Sequence, residues 1–497
     1  MGASNSKQPR SPAAPGRVGL EGGPLVRLGA GFSRVSEAIA PDPIVLAVLM
    51  TLAVFAAAFC WSSAPEIHAL TSGRRCLALI RAWFDGIWSP GLLRFALQMC
   101  LVLLTGFGIA KSPPVAAGVA RLARTVRSPR SAVTLVAAVS CCGCWLNWGF
   151  GLIVGGVLAA ELARRLDPDD RRRTAPLLVA AAYCGMMIWH GGLSGSAPLE
   201  VARAGVTIGA GPDAHVTQID VTGTILAPGN LSLSALFVIG VPLLLSRFAP
   251  TSDGGELRLE APPSVDSSAV AEENESNHGR RPADHLNRSR ILSLSLAMLG
   301  FAAIAVRLSE SGVAAIDLNF VNLLFLSVGL ALHRNLIDYF AAVTAGGGAI
   351  VGIVIQFPLY AGIQALMRDS GLSATVSQGF VDGAVGLADA IGVSSSTSFP
   401  IAAFLSAGFV NFFVPSGGGQ WIVQGPIMCN AAAALNLPVE RAVMAVAYGD
   451  EWTNMIQPFW AIPLMGLTGV HARSFMGYCA LLMLLATPVF LLALLLA

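Results

Sequence analysis

The sequence predicts an all-α, polytopic membrane protein built from two inverted repeats, with re-entrant hairpins and interrupted helices. Three observations predict it. Of 497 residues, 54% are hydrophobic and only 12% charged, where a soluble chain carries about twice that charge. Apolar runs of about 20 residues, the length that crosses a bilayer as helix, recur from end to end. Two pairs of shorter runs stand at corresponding places in the two halves, each followed by a run interrupted by Gly, Pro and polar residues.

The elements follow in order. Residues 1–30 are a basic, Gly/Pro-rich arm of disordered composition without the apolar segment of a signal peptide. The first repeat covers residues 31–248. Its spans are 43–60 and 91–110, and 75–89, with Arg81, Trp83 and Trp88, reads as a helix lying in the interface. The first short pair is 131–147 and 148–163, followed by spans at 175–192 and 231–248. Residues 249–290, rich in Ser, Glu, Arg and Pro, form a second stretch of disordered composition. A linker helix (291–317, its apolar part 291–308) leads into the second repeat, 318–497. There the spans are 318–333 and 349–367, the second short pair 399–414 and 420–435, and the closing spans 442–465 and 475–497.

Loop charge sets the orientation. Basic residues cluster in the arm (Arg10, Arg17, Arg27, Arg34), after the second span (Lys111, Arg121, Arg124, Arg127, Arg130) and after the first pair (Arg164, Arg165, Arg171, Arg172, Arg173). These belong on the cytoplasmic side. Residues 193–229 carry only Arg203 and residues 370–398 no Lys or Arg, so both face outward. The first pair then has both ends in the cytoplasm and the second has both outside, which is an inverted repeat. Asp42 and Asp317, and Gln98 and Gln356, recur at matching places.

Broken helices at membrane depth must line a cavity or be buried in protein, because lipid satisfies no backbone group. Matching breaks in two halves point to a transporter's binding site. Here the breaks are 189–198 and 448–458, and the pairs turn at 147–151 and 411–419. Ser416, Gly417, Gly418 and Gly419 offer bare N–H groups at a helix N-terminus, suited to an anion; a plain Gly-rich turn is the bland alternative. Asn147 and Asn411 close the first arms, where an amide binds substrate, coordinates a cation or simply caps. Asp450 and Glu451 are adjacent carboxyls in an apolar run, and ionised carboxyls facing lipid are expensive. Their directions differ by about 100° on a helix, so one partner serves both only if the helix unwinds. They are expected to bind a coupling ion or proton, the alternative being solvation at the outer interface. His190, in the first break, is a further titratable group.

The expected substrate-binding residues are Asn147, Trp148, Gly149, Ser194, Ser196, Asn411, Ser416, Gly417, Gly418, Gly419, Gln424, Asn454 and Gln457. The expected ion-coupling residues are Asp450, Glu451, Asn147 and Asn411. Arg94 is the only basic residue well inside a span, so helix termini and Ser, Asn and Gln must hold an anion. Six of nine tryptophans (Trp145, Trp148, Trp189, Trp421, Trp452, Trp460) flank these segments, as an interfacial belt or as walls for a short apolar tail. The nine cysteines show neither disulfide nor metal spacing.

Several stretches resemble the bacterial short-chain fatty acid transporter family: Ala40-Pro41-Asp42-Pro43, residues 147–151, residues 357–364, Val414 to Pro426, and Ala447 to Trp460. The likeness runs from about residue 26 to the end of the chain. It implies uptake of acetoacetate, butyrate and similar acids, and an ion-transporter superfamily fold with an elevator-like moving domain. Against the family's pattern the chain departs at His190 (Gly), Gln420 (His) and Asp450-Glu451 (Glu-Gln), which bears on substrate choice or coupling.

The reading is a symporter in the inner membrane, N-terminus cytoplasmic, taking a small monocarboxylate with Na⁺ or H⁺. No other cofactor, no metal and no nucleic acid is expected; a homodimer is possible for such carriers. Dicarboxylates are the rival substrates, disfavoured by the shortage of intramembrane Arg and Lys. From another class, an intramembrane serine protease is suggested by Gly192-Leu193-Ser194-Gly195, but the later histidines fall in loops or at span ends.

Overall fold

The computed structural model describes residues 23–166, 168–209, 214–250 and 282–496. Residues 1–22 of the arm and 251–281 of the polar loop lie outside the described residues. Among those described, eight helices are long and apolar enough to cross a membrane. The chain is an α-helical, multi-pass membrane protein, with a single two-stranded hairpin (Val206–Ile208 with His215–Thr217) among the described residues.

Local chemistry sets the helix starts. Helices open on proline at Pro43, Pro90, Pro129 and Pro458, where the missing N–H would have had no intrahelical partner. The echo between Asp42 and Asp317 is a pair of N-caps: Asp42 accepts from Ile44 N–H at 3.1 Å and Asp317 from Phe320 N–H at 2.8 Å. The order of elements also recurs. A span, a shorter helix, a span, a further helix, a hairpin and a broken segment fill residues 43–203, and the same sequence fills 318–468.

The two halves interlock. Pro43–Trp61 packs on Val351–Asp369, and its counterpart Leu318–Leu332 packs on Pro90–Lys111. Each half thus lends a span to the other. The second contact carries a polar clasp, in which Gln98 Nε2 donates to Asn319 Oδ1 (2.6 Å) and Asn322 Nδ2 donates to the Gln98 carbonyl (3.1 Å). The hairpins are Pro129–Leu146 with Trp148–Arg165, and Ser395–Phe413 with Gly417–Ala434. In the first, a side chain at Gly151 would collide with the backbone of Gly143 and Cys144, so the two arms touch backbone to backbone.

Several expectations are corrected. Residues 370–398 are not a loop: Leu372–Ile391 is a helix between Gly371 and Gly392, both at positive φ. Its glycines and two aspartates dilute the apolar signal, and packing against Ser395–Phe413 supplies the stabilisation. The arm is helical from Pro24 to Ile39, docked on Ala472–Leu496 through a Ser33 hydroxyl bond to the Ser474 carbonyl (2.8 Å). The helix expected at the interface runs Ser72–Ile87, and it packs along Val351–Asp369 with Gly86 on Ala361 and Ala365. The linker is Arg290–Ser311 plus a 3₁₀ turn, Gly312–Ala315.

Candidate functional site

The first broken segment begins as Pro168–Tyr183, tightens into a 3₁₀ turn at Cys184–Met187, and restarts as helix only at Ser196. Close approach explains its glycines. A Cβ at Gly192 would strike the backbone of Trp145, the last turn of the first hairpin's entry arm. That contact is closed by Leu193 N–H bonding the Trp145 carbonyl (2.8 Å) and Trp148 N–H bonding Ser194 Oγ (3.1 Å). The first tip and the first break are therefore one body.

The second broken segment stays helical further than its sequence suggests. Val439–Asn454 continues through Asp450 and Glu451, and only residues 455–457 interrupt it before Pro458–Thr468. Gln457 Nε2 donates to the carbonyls of Asn411 (3.0 Å) and Phe412 (2.9 Å), which the end of helix Ser395–Phe413 leaves unpaired. Asn411 Nδ2 reaches back to the Asp450 carbonyl (2.9 Å), Thr453 Oγ1 (3.0 Å) and Asn454 Oδ1 (2.8 Å). Tyr183 joins the two breaks by placing its hydroxyl 2.6 Å from the Asn454 carbonyl and 2.8 Å from that of Gln457.

The two acids need no unwound helix, because the first break wraps around both. Asp450 Oδ2 lies 2.8 Å from His190 Nδ1, a close polar contact whose angle is poor for a hydrogen bond. Glu451 Oε2 accepts the backbone N–H of His190 (2.9 Å) and Gly191 (3.1 Å). Asp450, Glu451 and His190 are 1%, 2% and 0% exposed, so solvation at an outer interface is ruled out. The other ring nitrogen of His190 accepts Ala197 N–H (3.0 Å). That bond assigns the proton to Nδ1, facing Asp450, and makes the imidazole neutral.

The second tip rests on this cluster. A Cβ at Gly417 would lie 2.8 Å from His190 Cε1, 2.8 Å from Trp189 and 2.9 Å from Asp450 Oδ2. The positive end of helix Gly417–Ala434 therefore faces the Asp450 carboxylate. Ser416 Oγ caps Gly419 N–H at 3.2 Å. An aromatic wall continues from here: Trp189 stacks on His190 (4.3 Å), meets Trp148 (6.3 Å), which meets Trp460 (4.9 Å), and Phe95, Phe357 and Phe459 follow.

Comparison with known proteins bears on this geometry. The family model described as "Short chain fatty acid transporter" matches residues 24–497. The chain belongs to the short-chain fatty acid transporter family. Two relatives carry that transporter name provisionally: an Escherichia coli K12 protein is 35% identical over 91% of this chain and 96% of its own. A Haemophilus influenzae protein is 33% identical over the same shares. Among solved structures, the efflux pump MtrF of Neisseria gonorrhoeae aligns over 93% of this chain and 96% of its own, at 17% identity and a TM-score of 0.38. YdaH of Alcanivorax borkumensis aligns over 92% and 97%, at 17% identity and 0.39. At those scores neither likeness carries an argument.

Membership makes this a transport protein rather than an enzyme, and the protease reading also fails on geometry. Ser194 accepts Trp148 N–H, while both nitrogens of the nearby His190 are engaged elsewhere. Of the expected site residues, Gly417, Asp450, Glu451, Asn411, Asn454 and Gln457 gather around the second break. Gly418 faces Ser196, whose Cβ lies 4.0 Å from the point where a side chain at 418 would begin. Asn147, Trp148, Gly149 and Ser194 form the first tip, where Asn147 caps Phe150 N–H (3.1 Å); no contact joins Asn147 to Asp450. Gln424 is turned inward, accepting from Gln420 (2.8 Å) and donating to Ser406 (2.8 Å). Trp148, Trp189 and Trp460 stand in the wall, whereas Trp452 bonds Met483 and Thr487 away from it. Sequence reasoning does not single out Tyr183, Asn230, Tyr360 or Gln364 as site residues. Asn230 braces the first break by bonding the Gly191 carbonyl and accepting from Tyr448. Gln364 fills the space a side chain at Gly419 would need. A polar residue in an apolar run is the available signal for all four.

Proposed function

We propose that the chain is a symporter that takes up short-chain fatty acids across the inner membrane, with its N-terminus in the cytoplasm. The observation that carries this reading is the buried junction of the second tip, both breaks and the side chains of Asp450 and Glu451. Such a junction links any movement of the hairpin to the charge state of Asp450. A bare anion in a low-dielectric site needs compensation. A coupling cation, Na⁺ or H⁺, bound near Asp450 and Asn411 would supply it, and Asn411 Oδ1, buried with no partner, is an available ligand. Asn147 serves the corresponding tip of the other half. The recurring element order and the exchange of spans support an inverted repeat that moves as an elevator.

A monocarboxylate fits better than a dicarboxylate. The cavity beside the second tip is lined by Leu92, Phe95, Phe357, Phe459 and a few neutral polar groups, with no Lys or Arg. Uptake of labelled acetoacetate or butyrate into proteoliposomes, with imposed Na⁺ or pH gradients, tests the reading. Accumulation should follow one of the two gradients. Uptake indifferent to both would overturn symport.

A further inference from the structure

We infer that the acid's carboxylate docks between the second hairpin tip and helix Val351–Asp369, held by Tyr360 and Gln364, while Phe95, Phe357 and Phe459 measure its alkyl tail. The inference rests on the transport reading above and names the site. Four observations carry it. Tyr360 is 2% exposed and its hydroxyl has no hydrogen-bond partner, yet it lines the cavity under the tip. A buried hydroxyl without a partner is costly unless something else fills the role. Gln364 lines the same cavity, its carboxamide nitrogen against Gly419. Helix Gly417–Ala434 begins there, and its geometry leaves Gly417 and Gly418 N–H without intrahelical acceptors. The remaining walls are apolar, with Phe357 and Phe459 stacked at 4.0 Å.

This arrangement suits a single carboxylate with a short tail. Donors converge from the tyrosine hydroxyl, the glutamine amide and the helix N-terminus, and the phenyl faces beyond them offer nothing to a second charge. The cavity measures about 20 Å³, close to the space of one water. A fatty acid therefore enters only when Pro415 and Ser416 draw back from Phe357 and Tyr360. The stacked rings bound the tail, so the site selects by chain length.

Three variants test the site in proteoliposomes, with butyrate and hexanoate as probes. Tyr360→Phe removes one donor to a charged group and should raise KM for butyrate about tenfold or more, with kcat little changed. Gln364→Glu places a carboxylate beside the substrate's and should raise KM further at neutral pH. Phe357→Ala should move preference from butyrate towards hexanoate on the order of tenfold, as two extra buried methylenes would. A merely structural role would lower kcat for both acids without altering their ratio. In parallel, Ser416→Cys in the otherwise intact chain should be protected by butyrate from a thiol reagent, read by mass spectrometry at that peptide.

The outcomes separate the two claims. Wild-type protein that moves no short-chain acid, with no protection at position 416, overturns both. Gradient-driven uptake whose KM and chain-length preference survive all three changes overturns the site alone. Protection at 416 without gradient dependence keeps the site and removes symport.

Discussion

His190→Ala separates a charged junction from a merely well-packed one. The change removes the nitrogen 2.8 Å from Asp450 Oδ2, the acceptor 3.0 Å from Ala197 N–H, and the ring stacked on Trp189. Leaving a buried carboxylate without its polar neighbour costs about 1.5–3 kcal/mol, because the charge stays behind. The poor angle at His190 argues for the lower end of that range. The uncapped Ala197 N–H adds about 1 kcal/mol. A loss of roughly 2–3 kcal/mol is a sizeable part of a typical folding free energy, so His190→Ala should melt below wild type in mild detergent. The decisive comparison adds Asp450→Asn. If Asp450 is an anion held by the imidazole, the double variant melts higher than His190→Ala alone, because the stranded charge is gone. The missing ring and lost cap are common to both and cancel in the comparison. A double variant that melts lower than His190→Ala, by the separate effect of Asp450→Asn, would refute an anionic Asp450 held by the imidazole.

Two further predictions probe coupling and the second tip. Asp450→Asn keeps the shape of the side chain but removes its titration, so gradient-driven accumulation of butyrate should disappear while exchange of labelled for unlabelled acid continues. Unchanged accumulation would remove Asp450 from coupling. Gly417→Ala places a methyl within 2.9 Å of His190, Trp189 and Asp450, whereas the nearest atom to a methyl at Gly418 is Ser196 Cβ at 4.0 Å. Uptake should fall at least tenfold in the first variant and stay within about twofold in the second, at equal membrane expression. Equal effects would mean that the tip does not seat on the junction.

Much of the site is legible in the residues because membrane burial leaves few reasons for a polar group. Asp450, Glu451, Asn411 and Ser416 stand out in apolar runs, and all four take part in the junction or its cap. Asp42 and Asp317 are legible as well, since an N-cap depends on neighbours two or three residues away. Gln424 misleads for the same reason: its amide serves a bond between hairpin arms, which sequence does not distinguish from a bond to substrate. Helix Leu372–Ile391 escapes the sequence because its stabilisation comes from a neighbouring helix rather than from its own composition.

The sequence by itself determined the membrane class, the places of the hairpins and breaks, and the scarcity of buried cations, all of which follow from local length, hydropathy and residue type. Only the tertiary structure decided which groups meet. His190 and Asp450 are 260 residues apart in sequence, Tyr183 and Asn454 more than that, and each pair is joined because the halves interlock around a shared core. Hydropathy reports how much a segment avoids water. It carries no information about which of many apolar partners a segment will choose, and that choice brings the two broken helices together.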